Sequence, residues 1–562
     1  MKGIKKLLSI ILIATMIFTL VAGCGGADQD SSNDVSDNDA SGDEVKTDDR
    51  GKDSDSKDDA DVPDYLNAEG FPIVKEPITL KAMVSKHASQ PSWDDILVWK
   101  EYEEKTGIKI EWEEVSSDLT EKRNLALASG EYPDIFYRAS LPDTEIMKYG
   151  SQGVFIALND LIDQYGPNFK KLMEENPATE KAARMPDGNI YSYVQYTESD
   201  PIQINPKLYI NQTWLDKLGK EMPTTTDELY DVLKTFKEND PNGNNEADEI
   251  PFTAQSLGHV LNTLYGAWGL RNRGTDHGNV DMNEETGELR FIPTDPKYKE
   301  MLEFVHKLYS EGLIDEEIFT MNSAQLVAKG DEDLVGAFAH TTVQQIGTRG
   351  DEHFVGLTEA LKGPHGDQIW AKRGNIGARG PFVITDKCEY PEAAVRWIDY
   401  FYSEEGGRFV FLGVEGESYQ ETEDGQYEFL PEIVDNIPEG STFDQVISNY
   451  VPYAGGGIPA LQKTEFFKGG ETHPVALEAA DNMSQYTPKE IWSKFSYTLE
   501  EIEERSALES DILAYVDQMR AQFIQGKVSF SEWDSYVSQI EKMGLERYME
   551  IYTAGYERYE AD

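Results

Sequence analysis

Cysteine, positive charge and long apolar runs are all scarce in this chain. Among its 562 residues only Cys24 and Cys388 carry thiols. Lys and Arg number 51 against 104 Asp and Glu, for a formal net charge of −53. A field of that sign repels polyanions, which excludes nucleic acid and direct binding to an anionic bilayer. After the N-terminal segment no stretch approaches the ~20 apolar residues that a membrane-spanning helix needs. The Walker pattern GxxxxGK[ST], HExxH and GxSxG are all missing, so no nucleotide-driven, zinc-protease or serine-hydrolase chemistry is written locally. Paired carboxylates carry no information in so acidic a chain, since almost any fold brings two of them together.

What is present begins at the N-terminus. Lys2, Lys5 and Lys6 precede an apolar stretch from Leu7 to Val21, and Leu20-Val21-Ala22-Gly23-Cys24 closes it. This resembles a bacterial lipoprotein signal, in which residues 1–23 are removed and Cys24 carries the lipid. With Cys24 so used, Cys388 has no partner for a disulfide within the chain, and with no His near it in sequence it reads as an inert thiol. Residues 24–70 form an acidic tether, rich in Asp, Ser, Asn and Gly and too polar to offset the entropy of ordering. Roughly 490 residues remain, too many for one core.

The first part of that body alternates strand and helix. Ile78 to Val84 reads as a strand, Trp93 to Lys105 as a helix stopped at Thr106-Gly107, and Ile108 to Trp112 as a strand. Leu119 to Ala128 is then a helix and Pro133 to Tyr137 a third strand. This β-α-β-α-β order predicts parallel pairing with right-handed crossovers, and ligands then sit at the carboxyl ends of the strands. The loops 85–92 and 138–142 are therefore where a site is expected.

The segments Val98 to Trp112, Gly130 to Phe136, Met301 to Thr320, Pro391 to Gly406 and Met519 to Tyr559 together resemble the extracellular solute-binding proteins of bacterial ABC importers. Within these, the likeness is to the large lipoprotein subgroup of carbohydrate-binding family 1. The resemblance implies an α/β, two-lobed periplasmic-binding-protein-like fold with an interlobe hinge, a ligand cleft and a helical C-terminal extension. The lobes are expected over 71–195 with about 336–402, and over about 196–335 with 403–562. Tyr191 to Pro206 suits the first crossing, and Arg379 to Thr385 a strand of the first lobe. The implied function is capture of an oligosaccharide and delivery to ABC permease subunits, by a monomer that is lipid-anchored outside the membrane and is not an enzyme. A tethered polysaccharide-degrading hydrolase and an adhesion or sensory lipoprotein are the alternatives.

Two constellations bear on a site. Asp240, Asn242, Asn244 and Asp248 place oxygens at positions one, three, five and nine of a tight loop, with a main-chain carbonyl from Glu246 at position seven, a pattern that suits structural Ca2+. Asn245 stands at the position of the usual glycine, and Pro251 replaces the bidentate glutamate at position twelve, leaving Glu249 or Asp248 to supply that contact. Sugar recognition has no fixed spacing; it needs aromatic faces and polar groups in loops. The candidates are His87, Trp93, Tyr137, Arg138 and Tyr193, with Trp268, Tyr419 and Tyr453 expected on the second lobe. Replacing Cys24 with Ser should release the protein from membranes or leave an unprocessed precursor, and a membrane-bound, lipid-labelled C24S variant would refute the lipid assignment.

Overall fold

A computed structural model describes residues 62–438 and 441–561. The expected signal peptide and most of the expected tether, Cys24 included, lie outside the described residues. The tether expected over 24–70 ends early: Leu66 is buried and bridges to Val74. Tyr65 stacks edge-on against Tyr390, and its hydroxyl donates to Glu392 at 2.6 Å.

The strands that position the site are, in chain order, β1 (Ile78–Ser85), β2 (Ile108–Val115), β3 (Ile135–Tyr137), β4 (Tyr196–Glu198) and β5 (Lys207–Asn211). They continue with β6 (Thr253–Ala254), β7 (Ala337–His340), β8 (Phe354–Gly356), β9 (Phe382–Ile384) and β10 (Leu461–Lys463). The first sheet has the order β9-β3-β1-β2. Its β1/β2 and β1/β3 pairs are parallel, as the alternating pattern predicts, and β9, from the returning segment 379–385 expected as a strand of this lobe, runs antiparallel to β3. Helices α1 (Leu97–Thr106) and α2 (Leu119–Ser129) are the crossovers. Gly107 ends α1 at φ 77°, a left-handed cap that a glycine adopts without strain. One face of this sheet covers a ring stack in which Trp93, Trp99, Trp112 and Tyr137 meet at centroid distances of 4.8–5.9 Å.

The second sheet has the order β8-β5-β7-β6, with β5 antiparallel to both β8 and β7. Residues 336–402 are expected with the first lobe, yet β7 and β8 pair here. Every residue of β7 is buried, and a short apolar strand carries no local mark of which sheet will take it. Conversely, residues expected in the second lobe join the first-lobe core: Val410, Phe411, Tyr419, Phe429, Tyr453 and Phe467 share a cluster with Trp93 and Trp397. The chain crosses between the sheets at β4, which pairs in parallel with β10.

Helices α3 (Asp143–Ser151) and α4 (Pro296–Ser310) belong to the lobes, and the C-terminal helix α5 (Leu499–Ile524) packs on both. The apolar face of α5 is the one its spacing predicts, with Ile512, Val516, Phe523 and Ile524 buried. The segment leading into it is tied to the first lobe by Arg379, which pairs with Asp143 at 2.8 Å and donates to the carbonyls of Lys494 and Phe495. On the other side His277 joins it to the second lobe. Its Nε2 lies 2.8 Å from the Ser493 carbonyl, which only accepts, so Nε2 carries the proton and Nδ1 accepts from the Tyr552 hydroxyl at 2.7 Å.

Burial holds the His277 imidazole down at about 3, below the ordinary histidine value of 6.5, and Lys494, Arg505 and Arg379 act in the same direction. A depressed folded value means that the unfolded chain binds the proton more readily, so the contribution of His277 is full above pH 6.5 and is lost as pH falls from there toward 3. A His277→Phe variant should melt lower at pH 7, because the Tyr552 hydroxyl and the Ser493 carbonyl lose a partner, at about 1–3 kcal/mol for each buried group. Its melting temperature should also fall less steeply between pH 6.5 and 4 than that of the wild type. Parallel pH profiles in thermal unfolding would refute the assignment.

Candidate functional site: a cleft between the two sheets

A cavity of about 700 Å³ opens between the sheets. One wall comes from the first-lobe cluster through Phe411, Tyr453 and Phe467; the other comes from the end of β7 and the turn after it, His340 to Thr342 with Gln344 and Gln345. Gln195, Ile202, Arg373 and Gln462, from or beside the crossing segments, form its base. The aromatic wall is rigid: Tyr453 packs edge-on against Phe467 at 5.2 Å, and Phe411 meets Phe467 at 5.8 Å. Asp444 and Glu471 add carboxylates.

Arg373 is the most telling group. Its Nε and Nη2 are buried and have no hydrogen-bond partner among the described residues. Burial lowers its ordinarily high pKa, and Asp276 opposes that shift. Buried donors without partners are uncommon in folded proteins, and here the residue that carries them lines an open cavity. The neighbouring chain is fixed independently: the Arg373 main chain exchanges hydrogen bonds with Gln203, whose amide also donates to Asn375.

Of the eight residues read from sequence as sugar contacts, Tyr453 lines this cleft. It does so from the first-lobe cluster rather than the second; Tyr419 belongs to that cluster too but does not line the cleft, sitting in a hairpin where its hydroxyl accepts from Arg408 at 3.2 Å. Arg138 lines a smaller cavity beside the cleft, and His87 is exposed with its Cβ against Gly455. Trp93, Tyr137 and Tyr193 are fully buried among other rings. Trp268 is also buried, against Phe304, with no partner for its indole N–H among the described residues. Core packing accounts for these four, which correct the expectation that they face a ligand. Arg373, Gln195, Gln462 and the 340–345 turn went unnoticed because they are isolated polar residues without a motif. A polar turn at the end of a buried strand was the only available signal.

The acidic loop folds as its spacing predicts. Asp240 accepts main-chain N–H bonds from Gly243, Asn244 and Asn245 at 2.7–3.1 Å. Asn245 has φ 65°, the left-handed conformation expected where it replaces glycine. The amides of Asn242 and Asn244 donate to Asp248, and the Asn244 side-chain oxygen accepts from the Glu246 N–H. Glu249 is buried, its Oε1 has no hydrogen-bond partner among the described residues, and burial together with Asp248 and Asp240 raises its pKa. Among the described residues no group of three or more His, Cys, Asp or Glu stands at metal-holding distance. The loop instead offers a mixed set of amide and carboxylate oxygens beside an unpartnered buried carboxylate, a set that fits a hard cation.

Two α/β lobes with a polar and aromatic cleft at their crossing define a solute-binding protein, a molecule that encloses a ligand without transforming it. Residues 85–408 match the family model described as bacterial extracellular solute-binding protein, and the chain belongs to that family. It is 31% identical over 522 residues to the fructooligosaccharide ABC transporter substrate-binding protein FusA of Streptococcus pneumoniae serotype 4, covering 90% of this chain and 95% of that one. Lipoprotein LipO of Bacillus subtilis is 27% identical over 486 residues, covering 83% of this chain and 90% of LipO. The solved structure of S. pneumoniae FusA in complex with kestose superimposes with a TM-score of 0.70 at 29% identity, covering 86% of this chain and 100% of that one. A FusA EF-hand mutant solved with fructo-nystose superimposes equally well, at a TM-score of 0.70. FusA is a substrate-binding protein, and this chain is a binding protein rather than an enzyme. Among the described residues no helix is long and apolar enough to cross a membrane.

Proposed function

We propose that the solute is a short neutral oligosaccharide, held in the 700 Å³ cleft and handed to an ABC permease. The observation that carries this reading is the cleft wall itself: Phe411, Tyr453 and Phe467 stand opposite unpartnered donors of Arg373 and the amides of Gln195 and Gln462. Aromatic rings cover the apolar CH face of a sugar, while amides and guanidinium satisfy its hydroxyls. The likeness to FusA makes fructans the first ligands to test. The lipoprotein signal at Cys24 and the likeness to LipO support a lipid anchor outside the membrane.

Titration calorimetry with sucrose, kestose, nystose and a maltooligosaccharide series should find at least one binder. Arg373→Gln should weaken that binder by about ten- to a hundredfold, the loss expected for a charge-assisted hydrogen bond in a desolvated site. Its melting temperature should be little changed, because no protein hydrogen bond depends on Nε or Nη2. Silence from every glycan in both calorimetry and thermal shift would remove the oligosaccharide reading.

The loop 240–249 is read as a structural Ca2+ site in which Asp240, Asn242, Asn244, Asp248 and Glu249 offer side-chain oxygens and Glu246 a main-chain carbonyl. The buried Oε1 of Glu249 supports this, as does the EF-hand named for FusA. The ion would hold the loop that follows the helix Thr226–Glu238. Extracellular sites of this type bind in the ~0.1–1 mM range, so the test needs millimolar metal. Ca2+ should raise the melting temperature, and Asp240→Ala should abolish the rise, since a ligand that binds only the native state stabilises it by mass action. An equal rise in both proteins would show that the ion acts elsewhere.

A further inference from the structure

Beside the cleft lies a second cavity of about 120 Å³, at the carboxyl ends of β1 and β3. Ser85, Arg138, Ser140, Leu141 and Pro381 line it. Gly455, Gly456 and Gly457 line both this chamber and the cleft, so the two spaces adjoin along this stretch of main chain. The three glycines have φ of 85°, 68° and 73°, and a Cβ at Gly456 or Gly457 would meet nothing within 4 Å. The wall is thus kept free of side chains by a backbone conformation that L-residues rarely adopt. It is also anchored at one end, where Arg138 donates to the carbonyls of Pro452 and Ala454 at 2.8 and 2.9 Å.

The opposite side of the chamber is strained. Arg138 and Ser140 both have φ 52°, two left-handed non-glycine residues flanking Ala139 directly after β3. Such conformations persist where the surroundings over-determine them, and they cluster at ligand sites. The hydroxyls of Ser85 and Ser140 have no hydrogen-bond partner among the described residues, while Leu141 and Pro381 supply an apolar surface. A cavity needs about 10–15 Å³ on this scale to admit one water, so the chamber has room for several waters and is of the order of size of one sugar ring. It also occupies the position at strand carboxyl ends where parallel sheets receive ligands.

We infer that this chamber is a terminal subsite, which receives one end unit of the bound oligosaccharide past the Gly455–Gly457 wall and hydrogen-bonds it through the Ser85 and Ser140 hydroxyls. The inference rests on the oligosaccharide reading of the cleft.

The test pairs calorimetry with crystallography on the full mature protein, using kestose and nystose, or the best binder of the glycan panel if neither binds. Ser85→Leu, which fills the chamber from the end of a strand that accommodates apolar residues, should weaken binding about tenfold or more. Ser85→Ala, which leaves the chamber open, should weaken it only several-fold. Both variants should melt close to the wild type without ligand. The crystal structure of the wild-type complex should show a sugar ring within hydrogen-bond distance of Ser85 Oγ or Ser140 Oγ. Density that ends on the cleft side of the glycine wall, or unchanged affinity in Ser85→Leu, overturns the subsite while leaving the cleft reading intact. If Ser85→Leu fails to fold, Ser85→Ala and the wild-type complex still decide. A wild type that binds no glycan at all overturns both.

Discussion

Each wall of the cleft is held by a buried cation that donates to main-chain carbonyls rather than to a carboxylate. On the first-lobe side this is Arg138, with Pro452 and Ala454 as acceptors and the face of Trp93 at 5.6 Å. On the other side it is Lys207, the first residue of β5, whose ammonium donates to Pro201 at 2.6 Å and to Thr341 at 3.0 Å. Burial lowers both groups, Arg138 to about 10 and Lys207 to about 8, so both remain charged at neutral pH. A charge taken out of water costs several kcal/mol unless its hydrogen-bonding capacity is met. The carbonyls meet it only in one loop conformation, and that requirement fixes 452–454 and 341 in place. Gly455 follows from the same constraint, because a Cβ there would stand 3.0 Å from Arg138 Nη2 and 3.2 Å from the His87 Cβ.

The lobes are connected by more than the crossing strands. Arg379 and Ser496 tie the segment before α5 to the first lobe, through Asp143 and the Arg184 carbonyl. His277 and the main-chain bond from Trp492 to Arg273 tie it to the second. Any change in the angle between the sheets must therefore move or bend these contacts as well as the β4/β10 pair. Ligand-driven closure in such a scaffold depends on how much a sugar gains by touching both walls, since a ligand shifts a conformational equilibrium only by its differential affinity.

The parts of this molecule that were legible in its sequence are those whose signal is local. Gly107 ends a helix because it alone adopts φ 77° without strain, and Asn245 takes the left-handed position of the acidic loop because asparagine tolerates it better than most residues. The alternation from Ile78 to Tyr137 determined a parallel sheet because helix and strand periods differ over short windows. What was not legible depends on contacts hundreds of residues apart. Trp93 begins a helical turn beside a predicted ligand loop, but its ring is claimed by Trp99, Trp112 and Tyr137. Trp268 has the Gly-flanked setting of a binding platform and is instead packed on Phe304. An aromatic residue in a loop looks the same in either role, and only the path of the distant chain decides which face is covered. The cleft drew its polar groups from residues 195, 340–345, 373 and 462, which no spacing rule connects.

Charge finally narrows what such a cleft can hold. The chain's −53 gives it a field that disfavours polyanions at a distance. Inside the cleft the signs are mixed, with the unpartnered Arg373 donors on the base and Asp444 and Glu471 on the rim residues that line the same space. An anionic ligand would gain from Arg373 and lose to the two carboxylates; a neutral polyhydroxylated one can donate to the carboxylates and accept from the guanidinium at once. Since a hydroxyl is both donor and acceptor, it satisfies both kinds of wall without leaving a buried charge uncompensated.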